Sequence, residues 1–197
     1  MKKFILLFSL LTVLLSCNKN KDVVLSMTDY PLNVGDQWTY QQTFYDFPAV
    51  DTSILTITGK TVSNDSTIFY TQTTIQGAVF DSGVIIMTSN ELKYVPSEVY
   101  YCLFDYTHLQ FPMKGHSVWT GEAQYDSLRV VAFNQKMTVM GNTYNNVVEI
   151  IRTQYDPQYF ESDDTLYICP RLGVIYVGTH VLTVPQKMVR LISYHLN

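Results

Sequence analysis

Side chains able to do chemistry are thinly scattered through this chain. Its four histidines, His108, His116, His180 and His195, include no His-x-His or His-Glu-x-x-His pair. A zinc site would depend on the fold to bring distant imidazoles together. Glycoside hydrolysis needs two carboxyl groups about 5 to 10 Å apart, and Glu98, Asp105, Glu122 and Glu149 are available for it, but linear order does not pair them. There is no Gly-x-Ser-x-Gly nucleophile turn, and Asp81-Ser82-Gly83 reads as a simple turn. Asp156, Glu161, Asp163 and Asp164 offer the hard oxygen ligands that calcium takes. They lack the alternating Asp-x-Asp-x-Asp-Gly order of a dedicated site and read as a solvated hairpin tip. The nine glycines are dispersed, with no phosphate-cradling run. The sequence assigns no catalytic residue, no metal and no cofactor.

Aromatic residues are the enriched class, with 15 tyrosines and 10 phenylalanines. Tyr94, Tyr100, Tyr101, Phe104 and Tyr106 crowd one stretch, and Tyr155, Tyr159 and Phe160 flank the acidic tip. A flat ring with a polar end stacks on sugars or lines a greasy cleft, so the first five are candidate ligand contacts. In a strand, neighbours such as Tyr100 and Tyr101 face opposite ways, which commits about half of such rings to a core.

These groups need elements to position them, and the composition points to strands. Thr, Val, Tyr and Phe recur throughout, while alanine occurs only at positions 49, 78, 123 and 132. Period-2 alternation is legible in Trp38, Tyr40, Gln42, Phe44, in Leu55 and Ile57, and in Phe69, Thr71, Thr73, Ile75. Further apolar runs follow at 84–87, 92–95, 99–104, 128–133, 136–140, 147–153, 165–169, 174–178 and 189–196. Turn formers at Ser63-Asn64-Asp65-Ser66, Gly141-Asn142 and Pro170 to Gly173 separate them. The expectation is an all-β, antiparallel fold of about ten to twelve short strands, arranged as a strongly curved sheet, open barrel or sandwich.

The chain opens with Met1-Lys2-Lys3 and an apolar stretch from Phe4 to Leu15. That length suits a secretory signal and falls short of the roughly 20 residues of a spanning helix. Leu14-Leu15-Ser16-Cys17 resembles the lipobox of bacterial lipoproteins. The resemblance implies a signal peptide over 1–16, cleavage before Cys17, and lipidation of Cys17. The membrane is then the first partner, since two or three acyl chains hold a protein far longer than one. Residues 17–28 would form the lipidated N-terminus and polar spacer, and 29–197 a single all-β domain. Asn18 stands where inner-membrane lipoproteins of well-studied Gram-negative systems carry Asp, so the resemblance implies a lipid-anchored outer-membrane protein of the cell envelope, on either leaflet. With Cys17 acylated, Cys102 and Cys169 remain, either as a disulfide in an oxidising compartment or as two buried thiols.

An internal echo suggests a division of 29–197 into similar halves, 29–110 and 111–197. Tyr30-Pro31-Leu32 leads to Gly35 and Trp38-Thr39, and Phe111-Pro112-Met113 leads to Gly115 and Trp119-Thr120. Each tryptophan lies seven residues past its proline, while the glycines are one place out of step. Two independent uses of a common turn would leave the same trace.

The run Tyr30-Pro31-Leu32-Asn33-Val34-Gly35-Asp36-Gln37-Trp38-Thr39-Tyr40 resembles the start of the mature domain in uncharacterised secreted proteins and lipoproteins of Bacteroidetes-type bacteria. Leu103-Phe104-Asp105-Tyr106 followed by Gly115 and Trp119 is similar to their middle segment, and Tyr167 through Gly173-Val174-Ile175, then Leu191 to Tyr194, to their last strands. The resemblance implies an all-β fold and an envelope location, and it brings no activity or catalytic residue with it.

A formal charge of −4 with only 13 basic residues, in no block, argues against a nucleic-acid surface. The functional expectation is a lipid-anchored binding or interaction module for a hydrophobic ligand, a glycan or an envelope protein. The alternative is a structural or assembly subunit of an outer-membrane complex, and a hydrolase ranks last.

Overall fold

A computed structural model describes residues 24–30, 32–45, 50–97, 107–121, 126–156, 160–181 and 184–197. Thirteen strands make one antiparallel sheet: β1 (Gln37–Phe44), β2 (Val50–Val62), β3 (Thr67–Ile75), β4 (Ala78–Asp81), β5 (Val84–Met87), β6 (Glu91–Val95), β7 (His108–Gln110), β8 (Val118–Thr120), β9 (Asp126–Val139), β10 (Asn142–Asp156), β11 (Phe160–Cys169), β12 (Gly173–Val181) and β13 (Val184–His195). The expected all-β, strongly curved antiparallel architecture is what the chain adopts. Nothing among the described residues is helical beyond a 3₁₀ turn at Met27–Asp29.

The spatial order is β7-β6-β5-β3-β2-β1-β13-β12-β11-β10-β9-β8, with β4 a side branch on β3. The chain thus runs through one meander from β1 to β7 and a second from β8 to β13, joined where β1 pairs with β13. The path ends on β7 and β8, which are nearly consecutive in sequence. The indole N–H of Trp119 on β8 bridges these ends by donating to the His108 carbonyl on β7 at 2.8 Å. Curvature is thereby carried almost to closure, and the inward faces share one core. Trp38, Tyr40, Leu55, Ile57, Phe69, Ile85, Leu92, Leu109, Leu128, Ile150, Ile168 and Leu191 are all buried in it. The period-2 pattern produces this directly, because alternate residues of each strand face one side of the sheet.

Local differences from the sequence reading have physical causes. The runs 128–133 and 136–140 belong to the single strand β9, with Asn134 at φ +56 accommodating the break inside it. A polar Asn tolerates the left-handed region, so the ladder is distorted there instead of ended. Asp81 closes the short strand β4 instead of belonging only to a turn. The run 99–104 lies outside the described residues.

Both tryptophans of the echo are buried near the start of a strand, and each indole N–H donates to a backbone carbonyl, Trp38 to Leu172 at 2.7 Å and Trp119 to His108. Gly35, four places past Pro31, sits at φ +94, and His116, four places past Pro112, sits at φ +64. The left-handed position therefore keeps its distance from proline and tryptophan in both copies. What differs is the residue filling it.

The segment before β1 caps one end of the curved sheet. Leu25 is buried and exchanges two backbone hydrogen bonds with Met113, at 3.1 and 2.9 Å, so part of the stretch read as spacer belongs to the folded body. Asp36 anchors this segment twice: Oδ2 accepts from the Asn33 N–H at 2.7 Å and Oδ1 from the Asn197 N–H at 2.8 Å.

Candidate functional site

Among the described residues, two pockets differ in size and chemistry. The first is an apolar cavity of about 20 Å³ inside the sheet, walled by Tyr30, Trp38, Tyr40, Leu92, Tyr94 and Leu172 among others. Such a void holds about one water. Tyr94, a candidate ligand contact from the sequence, is one of its walls. Only 2% exposed, Tyr94 donates its hydroxyl to Asp81 Oδ2 at 3.1 Å. Tyr100, Tyr101, Phe104 and Tyr106 lie outside the described residues.

The second is an open groove of about 590 Å³ on the capped end, lined by Asn142, Thr143, Tyr144, Asn145, Cys169, Leu172, Ile192, Ser193 and Tyr194. Its origin lies in strand lengths. Pairing of β10 with β11 begins only at Val148, and pairing of β13 with β12 ends at Arg190. The β11–β12 hairpin is therefore shorter than the strands beside it, and the sheet carries a notch beyond the hairpin's turn, narrow enough for the Asn142 side chain to reach the opposite wall. The start of β10 forms one wall and the end of β13 the other. The turn from Cys169 to Gly173 is the floor, with Arg171 at φ +68 and Gly173 at φ +89. A Cβ on Gly173 would stand 3.2 Å from the Tyr30 hydroxyl, so the close approach also requires glycine.

The β10 wall begins after a two-residue turn, Met140 (φ +49) and Gly141 (φ +82). Both central residues have positive φ, as the tight hairpin geometry demands. The turn sits one place earlier than the expected Gly141-Asn142. A bulge follows between Tyr144 and Val147, with Asn146 at φ +59. Across the notch, Asn142 Nδ2 donates to the Ile192 carbonyl at 3.3 Å, and the Cys169 thiol lies 3.7 Å from the Asn145 carbonyl. Two strand carbonyls thus meet long side-chain contacts at the groove.

No charged residue lines this groove. Burial pushes the Cys169 thiol up, and burial with the nearby Tyr194 raises Tyr144, so both stay protonated around neutrality. The surface offers amide, hydroxyl and backbone groups without charge. Cys169 is buried and bonded to no cysteine among the described residues, and Cys102, its candidate disulfide partner, lies outside them.

The other reactive side chains are engaged elsewhere. Arg152 on β10, 3% exposed, donates through Nε to both Asp126 oxygens at 2.9 Å and through Nη2 to Oδ2 at 2.7 Å. Its Nη1 lies 3.5 Å from Asp164 Oδ2. The acidic run is thereby divided: Asp164 turns inward to Arg152, while Asp163 accepts from Thr153 Oγ1 at 2.7 Å on the other face. Glu149 accepts from the Tyr167 hydroxyl at 3.2 Å, and Glu98, Asp105 and Glu122 lie outside the described residues. Among the described residues, no three His, Cys, Asp or Glu side chains converge. Cys17 also lies outside them.

Sequence reasoning missed the groove because its walls are adjacent only through the pairing order. The available signal was the polar run Gly141-Asn142-Thr143-Tyr144-Asn145-Asn146, which interrupts two apolar stretches. A second missed feature is an inward polar stripe, in which Gln42 Nε2 donates to Ser53 Oγ while Thr73 pairs in register with Asp81.

These features define a nearly closed antiparallel β-structure with a packed interior and an uncharged external groove. No protein-family model matches the chain, and no curated protein sequence matches it. Among solved structures, the chain is similar to a presumed exported protein with a YmcC-like fold from Bacteroides fragilis. The TM-score is 0.55 at 10% identity, covering 85% of this chain and 98% of that one. A presumed lipoprotein from Parabacteroides distasonis matches with a TM-score of 0.48 at 8% identity, over 87% of this chain and all of the other. The first likeness shows a shared fold.

Proposed function

We propose that this protein is a lipid-anchored component of the bacterial cell envelope, tethered through Cys17 in the outer membrane, and that it acts there as a binding module. The leader and lipobox-like run support the tether, and the fold shared with a presumed exported protein agrees with it. One observation carries the choice of site: the interior void is about 20 Å³ whereas the external groove is about 590 Å³. Pockets that hold small-molecule ligands measure roughly 300 to 1,000 Å³. Of the expected ligand classes, a hydrophobic molecule held within the barrel is the least compatible with this geometry. A neutral, polar partner at the groove fits it best. The reading of two similar halves belongs to the same proposal, supported by the two meanders and by the matched roles of Trp38 and Trp119.

The test places lysines in the groove, Thr143→Lys with Ser193→Lys, in the intact lipoprotein. Recovered in mild detergent, this variant should keep the parent's circular-dichroism spectrum and lose an envelope component that copurifies with the parent. Identical copurifying material from both proteins would reject the groove as the site.

The assembly-subunit reading rests on a different surface. On the outer face, Thr39, Ile54, Thr74 and Val79 follow one another across β1 to β4, with Ile54 and Val79 exposed. That uncharged row would serve as a docking face in a larger complex.

A further inference from the structure

Resting on the groove reading above, we infer that the groove's occupant is an extended, uncharged segment of polypeptide, contributed by another envelope protein and held by strand addition.

The argument begins with the backbone. Asn142, Thr143, Tyr144 and Val147 pair with β9 on one side, Asn145 and Asn146 bulging out of that ladder, and among the described residues 142–147 have no strand partner on the other. Leu191 and Ser193 to His195 pair with β1 on one side, Ile192 bulging out of that ladder, and likewise have none on the other. Each wall is thus a strand edge interrupted by one bulge, and the bulged residues Asn145 and Ile192 face each other's wall across the notch. A strand edge offers a row of N–H and C=O groups at fixed spacing, and the ligand that satisfies such a row is another extended backbone. The carbonyls of Asn145 and Ile192 meet side-chain donors from the groove side at 3.7 and 3.3 Å. A peptide N–H at the usual 2.9 to 3.0 Å improves on both.

Length and charge narrow the partner. Five residues of strand span about 17 Å, which matches the walls. Edges are commonly protected by charged side chains, lysine above all, and none lines this groove. The protection present is a bulge at Asn145-Asn146 and the Asn142 side chain reaching across to Ile192. The Asn142 amide imitates the donor that an incoming strand would bring. The lining of Asn, Thr, Ser and Tyr discriminates against charged side chains, because nothing there compensates them. Tyr194, which is exposed, supplies ring surface against which a side chain of the segment packs, beside the buried Tyr144.

The experiment uses the mature lipoprotein in detergent micelles and follows hydrogen exchange at the amides of 142–147 and 191–195. The probes, each at millimolar concentration, are a capped seven-residue peptide of alternating threonine and valine, the same peptide N-methylated at every second residue, and maltohexaose. The unmodified peptide should slow exchange in both segments at least tenfold. The methylated peptide, whose side chains are unchanged, should not, and Thr143→Lys with Ser193→Lys should abolish the protection. Asn142→Ala, which removes the competing amide, should tighten peptide binding several-fold. Equal protection by the methylated peptide, or weaker binding by Asn142→Ala, overturns strand addition. Protection by maltohexaose alone also overturns it while leaving the groove as the binding site. No protection by any probe overturns strand addition, and together with unchanged copurification by the lysine variant it defeats the groove reading as well.

Discussion

Trp119 and His108 close the sheet. One donates its indole N–H to the other's carbonyl at 2.8 Å, linking the first strand of the second meander to the last strand of the first. Both strands are three residues long, so this bond carries an unusual share of the seam. Trp119→Phe keeps most of the ring and deletes the donor, and it should cost about 1 to 2 kcal/mol, because the buried carbonyl loses its partner. Trp119→Ala should cost about 3 to 5 kcal/mol. Urea unfolding gives both numbers, and exchange at the amides of 108–110 should quicken in the phenylalanine variant before other regions change.

Arg152 pairs with two buried carboxylates. Arg152→Met should destabilise by about 3 to 5 kcal/mol, since it removes a cation from beside buried Asp126 and Asp164. Combining it with Asp126→Leu should recover much of that loss. A double-mutant cycle by chemical denaturation checks the recovery, and additive losses would show that the pair contributes little as a unit.

Thr73 Oγ1 is fully buried and meets no hydrogen-bond partner among the described residues. Thr73→Val keeps the shape and removes the unsatisfied hydroxyl, so it should raise stability by about 1 kcal/mol. A rise in denaturation midpoint with unchanged slope is the expected signature.

Tyr40 is buried, donating to the Val174 carbonyl at 2.9 Å, and burial pushes its hydroxyl well above the ordinary tyrosine range. Tyr30 moves in the same direction for the same reason. Their folded pKa values exceed their unfolded ones, so the stability they contribute is complete below pH of about 10 and falls as pH climbs beyond it. Alkaline unfolding should begin in that window. Tyr40→Phe should flatten the decline while costing about 1 kcal/mol at neutral pH.

The two accessible tests of cysteine chemistry are independent. Cys17→Ser should shift the protein from the detergent phase to the aqueous phase and remove the mass of the acyl chains from its N-terminus. Cys169, with its thiol raised by burial, should react slowly with iodoacetamide when folded and promptly when unfolded without reductant. Protection that survives unfolding until a reductant is added would instead mean a bridge to Cys102.

Strand identity was legible wherever alternation was clean. Trp38 to Phe44 lies within β1, because side-chain period alone decides which face of a strand is buried, while the unbroken apolar run Val84 to Met87 coincides with β5. The glycine offset in the second tryptophan motif was legible as a discrepancy but not as a conformation. His116 takes the left-handed position there, and no composition rule distinguishes that from a broken motif. The three-residue strands β7 and β8 were illegible as a pair, since so short a run has no period of its own.

The groove shows the same boundary. Residue order determined that this chain alternates, turns at its glycines and asparagines, and carries a lipobox-like run ending at Cys17; each of these depends on a few neighbouring positions. Whether Asn142 would face Ile192, fifty residues away, was decided by the sheet order and by a hairpin shorter than its flanking strands. Lengths of paired strands are set by where ladders begin and stop, which is a balance of contacts between distant segments. That balance exists only once the whole sheet has formed.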